Sequence, residues 1–271
     1  MTVPSPLARR VAAALGAPVT REAPLGGGDL GEVRRVTLDD GRTVVAKVGT
    51  GLRREARMLA ALRAAGAPTP GILHEDDDVL VLEAVANDGA LDAAAWGDLG
   101  TVLAHLHADV GTAYGWDEDA AFGTLSVPNA PTDTWPTFWA ERRLLPHVAA
   151  LPPDLAARVE RLAADLPARL PERPPAALLH GDLWTGNVLT AGGRVTALID
   201  PAAYRGHGEV DLAMLHLFGR PAPALDAAYG TPPDAAERRP IYQTWPALVH
   251  LRLFGAGYRG LVERLLRMTG V

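Results

Sequence analysis

The chain has 271 residues, 48% of them hydrophobic, with no cysteine and a net charge of −6. That length lies where single cores give way to separate lobes; the lack of cysteine excludes disulfides, thiol catalysis and zinc–thiolate sites, and the negative balance argues against non-specific nucleic-acid binding. No run reaches the ~18–20 apolar residues of a membrane span, and the N-terminal stretch is too weakly apolar for a signal peptide, so a cytoplasmic protein without a membrane partner is expected.

In chain order, residues 5–16 read as a short amphipathic helix. EVRRVTL (32–38) and RTVVAKV (42–48) read as strands joined by Asp39-Asp40-Gly41, a hairpin signal. Ahead of them, Gly26-Gly27-Gly28-Asp29-Leu30-Gly31 is either a plain turn or one whose backbone N–H groups face phosphates. Of the 26 basic residues 25 are Arg, and the exception, Lys47, falls on the second strand. Genomic base composition accounts for the Arg excess but not for the one Lys. Either that Lys survives by chance, or the position needs a compact ammonium rather than a planar fork. Residues 51–68 are helical, with Leu52, Ala56, Leu59 and Leu62 on one face, Gly66 and Pro68 ending the helix and Glu55 in its first turns.

DVLVLEAV (78–85) is a short apolar strand. The break at ANDGAL places a boundary between a unit of residues 1–86 and one of 87–271. Leu99, Val102, Leu103 and Leu106 then recur at helical spacing; His105 and His107 on that helix read as interior histidines. The aromatic stretch 129–148 leads into a helical region (153–170) and a Pro-rich linker (171–175). Strand-like ALLH (177–180), NVLT (187–190) and VTALID (195–200) follow, then helices to the end.

The segment LLHGDLWTGNVLT (178–190) sets an unpaired acid, Asp182, and an amide, Asn187, between apolar ends, with glycines on either side of Trp184. The order of parts is a Gly-rich turn, a lone strand Lys, a helix Glu, a two-stranded linker, His-x-Asp with Asn five residues on, and a strand ending in Asp200. This order resembles the protein-kinase fold. The resemblance implies an α+β, two-lobed protein with a small β-rich N-lobe and a larger, mainly helical C-lobe. It also implies use of ATP and Mg²⁺. His-Gly-Asp without the Arg of His-Arg-Asp, and Asp200 followed by Pro-Ala rather than Phe-Gly, place the resemblance in the small-molecule branch that includes aminoglycoside and choline kinases.

The flanking segments LLHGDLWTGNV, IDPAAYRGHGEVDLAML, WPTFWAERRL and YQTWPALVHLRLFGAGY are similar to the fructosamine kinase (ketosamine 3-kinase) family from about Leu25 to the C-terminus. Trp184, Asp200-Pro201-Ala202 and Gly206-His207 are the most specific elements. The resemblance implies phosphorylation of a sugar hydroxyl on a ketosamine, free or on a glycated lysine or protein. The product is unstable, so the reaction serves deglycation. Carried across, Asp182 is the base. Lys47 holds the phosphates beneath the turn Gly26, Gly27, Gly28, Asp29, and Glu55 fixes the Lys. Leu82, Glu83, Ala84 and Val85 meet adenine. Asn187 and Asp200 carry the metal, and Trp184 and His207 face the substrate. A monomer is expected.

Three departures stand out, the first being the short segment between Lys47 and Glu55. Arg205 occupies a position where relatives often have an aromatic residue, and Asp29 lies near a cysteine of some relatives. Several residues read two ways. Trp184 either walls a sugar-amine pocket or packs the loop. Glu55 either pairs with Lys47 or is a solvated helix residue. Asp211 reads as a brace for the catalytic loop. Trp135, Phe138 and Trp139 read as core, with one of them lining the pocket. His207 and Glu209 fit either a structural or a substrate role. The competing functions are another kinase of the same fold, acting on an aminoglycoside, amino alcohol or sugar, and a silent nucleotide-binding protein.

Overall fold

The computed structural model describes residues 5–26 and 32–271. Gly27, Gly28 and Asp29, expected to face phosphates, lie outside the described residues.

Helix α1 (Pro6–Leu15) begins where the Ser5 hydroxyl accepts the N–H of Ala8 at 2.9 Å and ends at Gly16, which adopts a φ of 68°. The strands β1 (Val19–Pro24), β2 (Glu32–Leu38) and β3 (Thr43–Val48) follow, then helix α2 (Leu52–Ala64), then β4 (Ile72–Glu75) and β5 (Val79–Glu83). They form one antiparallel sheet in the order β1-β2-β3-β5-β4. Strand β5 explains its own unbroken apolar run. Val79 and Val81 pack with Val36, Val44 and the α1 residues Leu7 and Val11, while Leu80 and Leu82 pack with Leu52, Ala56 and Leu59 of α2. A strand covered on both faces does not alternate.

The remaining chain is mostly helical. Helix α3 (Ala93–His107) leads through β6 (Val110–Gly111) to a small hairpin of β7 (Ala120–Phe122) and β8 (Leu125–Val127). The short helix α4 (Trp135–Phe138) passes into a π-helical turn and a 3-10 turn before α5 (Pro153–Arg169). Strands β9 (Ala176–Leu179), β10 (Val188–Ala191), β11 (Arg194–Leu198) and β12 (Tyr204–Gly206) then alternate with loops. They precede α6 (Glu209–Phe218), α7 (Pro223–Tyr229), α8 (Ala235–Phe254) and α9 (Arg259–Met268). The largest core joins α3, α5, α6, α8 and α9. Trp135, Phe138 and Trp139 are fully buried in it, and none of the three reaches the cavity described below. The expectation that one of them lines a pocket is therefore corrected. Instead Phe138 stacks on Trp135 and on Tyr204, Trp139 packs tilted against Trp135, and Tyr242 meets Trp139 edge-on. Among the described residues, no helix is long and apolar enough to cross a membrane.

Candidate active site

Strand β9 delivers the chain into the loop 180–187, and the hairpin β10–β11 returns it to Asp200. Gly181 begins the turn with a φ of 83°, and a Cβ there would stand 2.0 Å from the carbonyl oxygen of Ala202. Only glycine fits both demands. The loop is stitched to its return segment. Ala202 N–H donates to His180 O at 3.0 Å, and Ile199 N–H donates to Asn187 O at 3.1 Å. His180, wholly buried, bonds through Nε2 to Ile199 O at 2.9 Å, while its Nδ1 accepts the N–H of Asp182 at 3.3 Å. Burial pulls the imidazole pKa down, so the ring is neutral and holds both bonds at once.

Behind the loop, Asp211 of α6 is fully buried. It accepts the backbone N–H of His180 at 2.7 Å and of Gly181 at 2.9 Å, and bonds to Nε2 of His107 at 3.2 Å. His107 Nδ1 in turn meets Tyr229 OH at 2.9 Å. Burial works to raise the Asp211 carboxyl, but the His107 bond and the neighbouring backbone donor outweigh it, and the group stays below its ordinary value. Asp211 therefore braces the loop, as its sequence context suggested.

In front of the loop the balance reverses. Asp182 is pushed up to about 7, first by burial and next by the charge of Asp200, with only Asn187 opposing. The Asn187 side-chain amide donates to Asp182 O at 2.8 Å and to its carboxylate at 3.3 Å. Those bonds commit the Asn NH₂ and leave its carbonyl oxygen for another partner. Asp200 is the one non-glycine residue with positive φ (56°) among the described residues, a conformation that Asp tolerates better than most.

Lys47, on β3, projects to this cluster from the sheet. Its Nζ donates to Glu55 Oε1 at 2.5 Å and also contacts Asp200 Oδ1. Burial works to lower the ammonium, but the charges of Glu55 and Asp200 outweigh it and raise the pKa. Glu55 is thus the paired residue, not a solvated one.

These groups share a cavity of about 660 Å³. Lys47, Glu55, Asp182, Trp184, Asn187 and Asp200 all line it. The Trp184 ring, 38% exposed, lies over Gly186, where a Cβ would meet it at 2.3 Å. Other predicted residues stand apart. Gly26, Leu82, Glu83, Ala84, Val85 and His207 are not on the wall; the N–H of Glu83 is taken by Gly71 O at 2.8 Å. His207 lies behind Tyr242, bonding its hydroxyl at 2.7 Å, and burial lowers the His pKa to about 4. Glu209 is buried in a two-point pair with Arg238, at 2.8 and 2.5 Å, a structural role. Arg205 turns to Asp109, bonding its carbonyl and its carboxylate, the latter at 3.0 Å. Sequence reasoning missed the aromatic residues Phe218, His250, Phe254 and Tyr258, which also line the cavity. Their signal was the i, i+4 spacing of His250 and Phe254 on α8, masked by the continuous apolar character of that segment.

A small antiparallel sheet bearing a Lys–Glu pair, set against a helical part bearing an Asp/Asn loop, is the protein-kinase-like architecture of small-molecule phosphotransferases. Comparison with known proteins narrows it. The model of the fructosamine kinase family matches residues 6–269. A "Probable ketoamine kinase" of Thermus thermophilus is 36% identical over 251 residues, covering 90% of this chain and 92% of the relative. Another so described, from Synechocystis, is 38% identical over 189 residues, covering 64% of this chain and 61% of that protein. A crystal structure from Thermobifida fusca, described as a candidate fructosamine-3-kinase, superposes with a TM-score of 0.86 at 35% identity, covering 97% of this chain and 98% of that one. The chain belongs to the fructosamine kinase family, ATP-dependent phosphotransferases that act on sugar hydroxyls.

Proposed function

We propose that the protein transfers the γ-phosphoryl group of ATP to a sugar hydroxyl of a ketosamine, with Asp182 as the base. The observation that carries this is the meeting of Lys47, Glu55, Asp182, Asn187 and Asp200 on one cavity wall. As the acceptor oxygen bonds to the γ-phosphorus, its proton passes to the Asp182 carboxylate, and the bond from that phosphorus to the bridging oxygen of ADP breaks. A carboxyl held near 7 accepts a proton at neutral pH without a large penalty. Lys47 meets the phosphates, with Glu55 holding its ammonium. Leu82, Glu83, Ala84 and Val85, off the wall of the cavity itself, mark the side on which the adenine lies.

The donor set suits Mg²⁺. A carboxylate and an amide oxygen are hard ligands, and Mg²⁺ is held by few protein groups together with phosphates and water. Among the described residues no group of three or more His, Asp or Glu forms a closed metal site, and the repulsion between Asp182 and Asp200 is what a cation would relieve. Asp200 and the carbonyl oxygen of Asn187 would hold the ion, which when bound neutralises charge on the phosphates. Trp184 covers the apolar face of the sugar and attracts the adjacent protonated amine. The phosphorylated adduct then breaks down to free the amine, which is deglycation, in the cytoplasm and by a monomer.

ADP release should be measured against fructose-, ribose- and psicose-lysine, choline and kanamycin. Turnover of one or more of the three ketosamines, with choline and kanamycin idle, is the expected result. Turnover of kanamycin or choline alone would sink the ketosamine reading and leave only the kinase.

A further inference from the structure

The cavity has two chemically different ends. Its acidic lining residues among those described are Glu32, Glu55, Asp182 and Asp200. All come from the sheet lobe, the catalytic loop or the turn after β11, and none from α6, α8 or the segment that follows α8. That second end is aromatic. Phe218, at the last turn of α6, meets His250 of α8 with ring centroids 4.7 Å apart. His250 meets Phe254 at 5.3 Å and Tyr258 at 5.0 Å, and Phe254 meets Tyr258 at 5.9 Å. His250 Nδ1 bonds to Pro246 O at 2.8 Å, which holds the ring.

Phe218 and Phe254 are 40% and 45% exposed. Together with Trp184 they put three large apolar side chains at the open edge of one cavity, where scattered single exposure would be unremarkable. The patch is continuous with the catalytic loop. A Cβ on Gly219, the residue after Phe218, would stand 2.9 Å from the Thr185 methyl group, so the end of α6 abuts the residue next to Trp184. An acceptor whose hydroxyl faces Asp182 and whose sugar lies on Trp184 extends its other half toward these rings.

We infer that Phe218, His250, Phe254 and Tyr258 form the subsite for the amine-borne half of the acceptor, and that they select an apolar, flat group over a charged one. This inference rests on the ketosamine reading above. A polycationic acceptor would find no carboxylate at this end. An aromatic amine substituent finds rings to stack against, and covering one such face is worth about tenfold in binding.

The test compares N-benzyl-1-amino-1-deoxyfructose, its N-methyl analogue and Nε-fructosyl-lysine as acceptors for the full chain with Mg-ATP. The N-benzyl compound should exceed both others in kcat/KM by at least about tenfold. The double variant Phe218→Ala/Phe254→Ala should reduce the benzyl-to-methyl ratio to within about threefold while leaving KM for ATP and the melting temperature close to wild type, both side chains being solvent-facing. Equal use of the three acceptors by wild type, or an unaltered ratio in the double variant, overturns the inference while the ketosamine reading stands. If kanamycin is phosphorylated and no ketosamine is, that reading falls and takes the inference with it. A wild-type dimer in sedimentation that Phe254→Ala dissociates, with the acceptor ratio unchanged, would assign the patch to a second copy of the chain and also overturn the inference.

Discussion

The two faces of the catalytic loop carry one acid each, fully buried Asp211 behind and half-buried Asp182 in front, and the acids behave oppositely. Asp211, behind the loop, is enclosed by donors: two backbone N–H groups and a histidine. Asp182, in front, has one weak side-chain donor at 3.3 Å and a second carboxylate as neighbour. Burial raises both carboxyls; bonding reverses it for Asp211 and fails to for Asp182. The difference teaches that the loop keeps its fold through the acid it satisfies, and that the acid left unsatisfied is the one open to a substrate proton.

The sharpest way to break this comparison is Asp182→Asn, which keeps shape and removes the base. Turnover should fall by about two to four decades with nucleotide affinity kept. Near-normal kcat in steady-state assays would remove Asp182 from the proposed role. Removing the other acid should act on the fold instead. Asp211→Ala leaves two buried N–H groups without an acceptor, each costing about 1–3 kcal/mol, so calorimetry should show a melting temperature lower by roughly 5–15 °C. A variant as stable as wild type would mean that the brace is dispensable.

Lys47→Arg tests whether the front face needs a point charge. A guanidinium does not fit where Nζ lies 2.5 Å from Glu55 and against Asp200. ATP-dependent turnover is expected to drop at least about tenfold with little change in melting temperature; full activity would make the lone lysine an accident of composition. Trp184→Ala should lower kcat/KM for a fructosamine by about tenfold and change Mg-ATP affinity less than about threefold. Loss of ATP binding or unfolding would make Trp184 a packing residue.

The smallest effects are in pH dependence, and they have opposite signs. The folded pKa of Asp182 is raised to about 7, above an unfolded value of about 4. The native state therefore holds this proton more tightly, and the group's penalty on stability is absent below about 4, grows as pH rises and is complete above about 7. Without nucleotide or metal, Asp182→Asn should melt a few degrees above wild type at pH 8, and the gap should close by about pH 4. The folded pKa of Asp211 is lowered, so its stabilisation is present above the unfolded value and is lost as pH falls through the folded one. The cost of Asp211→Asn should shrink on acidification. Melting curves from about pH 2 to 8 check both, the Asp182 effect between about pH 4 and 8 and the Asp211 effect below about pH 4; a pair of parallel lines over the whole range would contradict the comparison.

What the chain alone determined were the features written in local chemistry. The hairpin at Gly41, the amphipathic helices α1 and α2, the apolar strand β5 and the loop with Asp182 and Asn187 are each encoded within a few residues, by turn glycines, periodicity or a polar residue set where a core would reject it. The short strands β1, β4 and β12 were not legible: β1 and β4 carry no clean alternation, and β12 is three residues long. Tertiary structure alone decided which long-range neighbours each side chain would have. It made Glu55 the partner of Lys47, drew Trp135 and Trp139 into the core, turned Arg205 toward Asp109 and set His207 behind Tyr242. It also gathered Phe218 and Phe254, from two helices, onto the rim of the same cavity as Asp182. The physical reason is that local propensity reaches a few residues along the chain, whereas burial, charge pairing and pKa depend on groups that meet only after the lobes have packed.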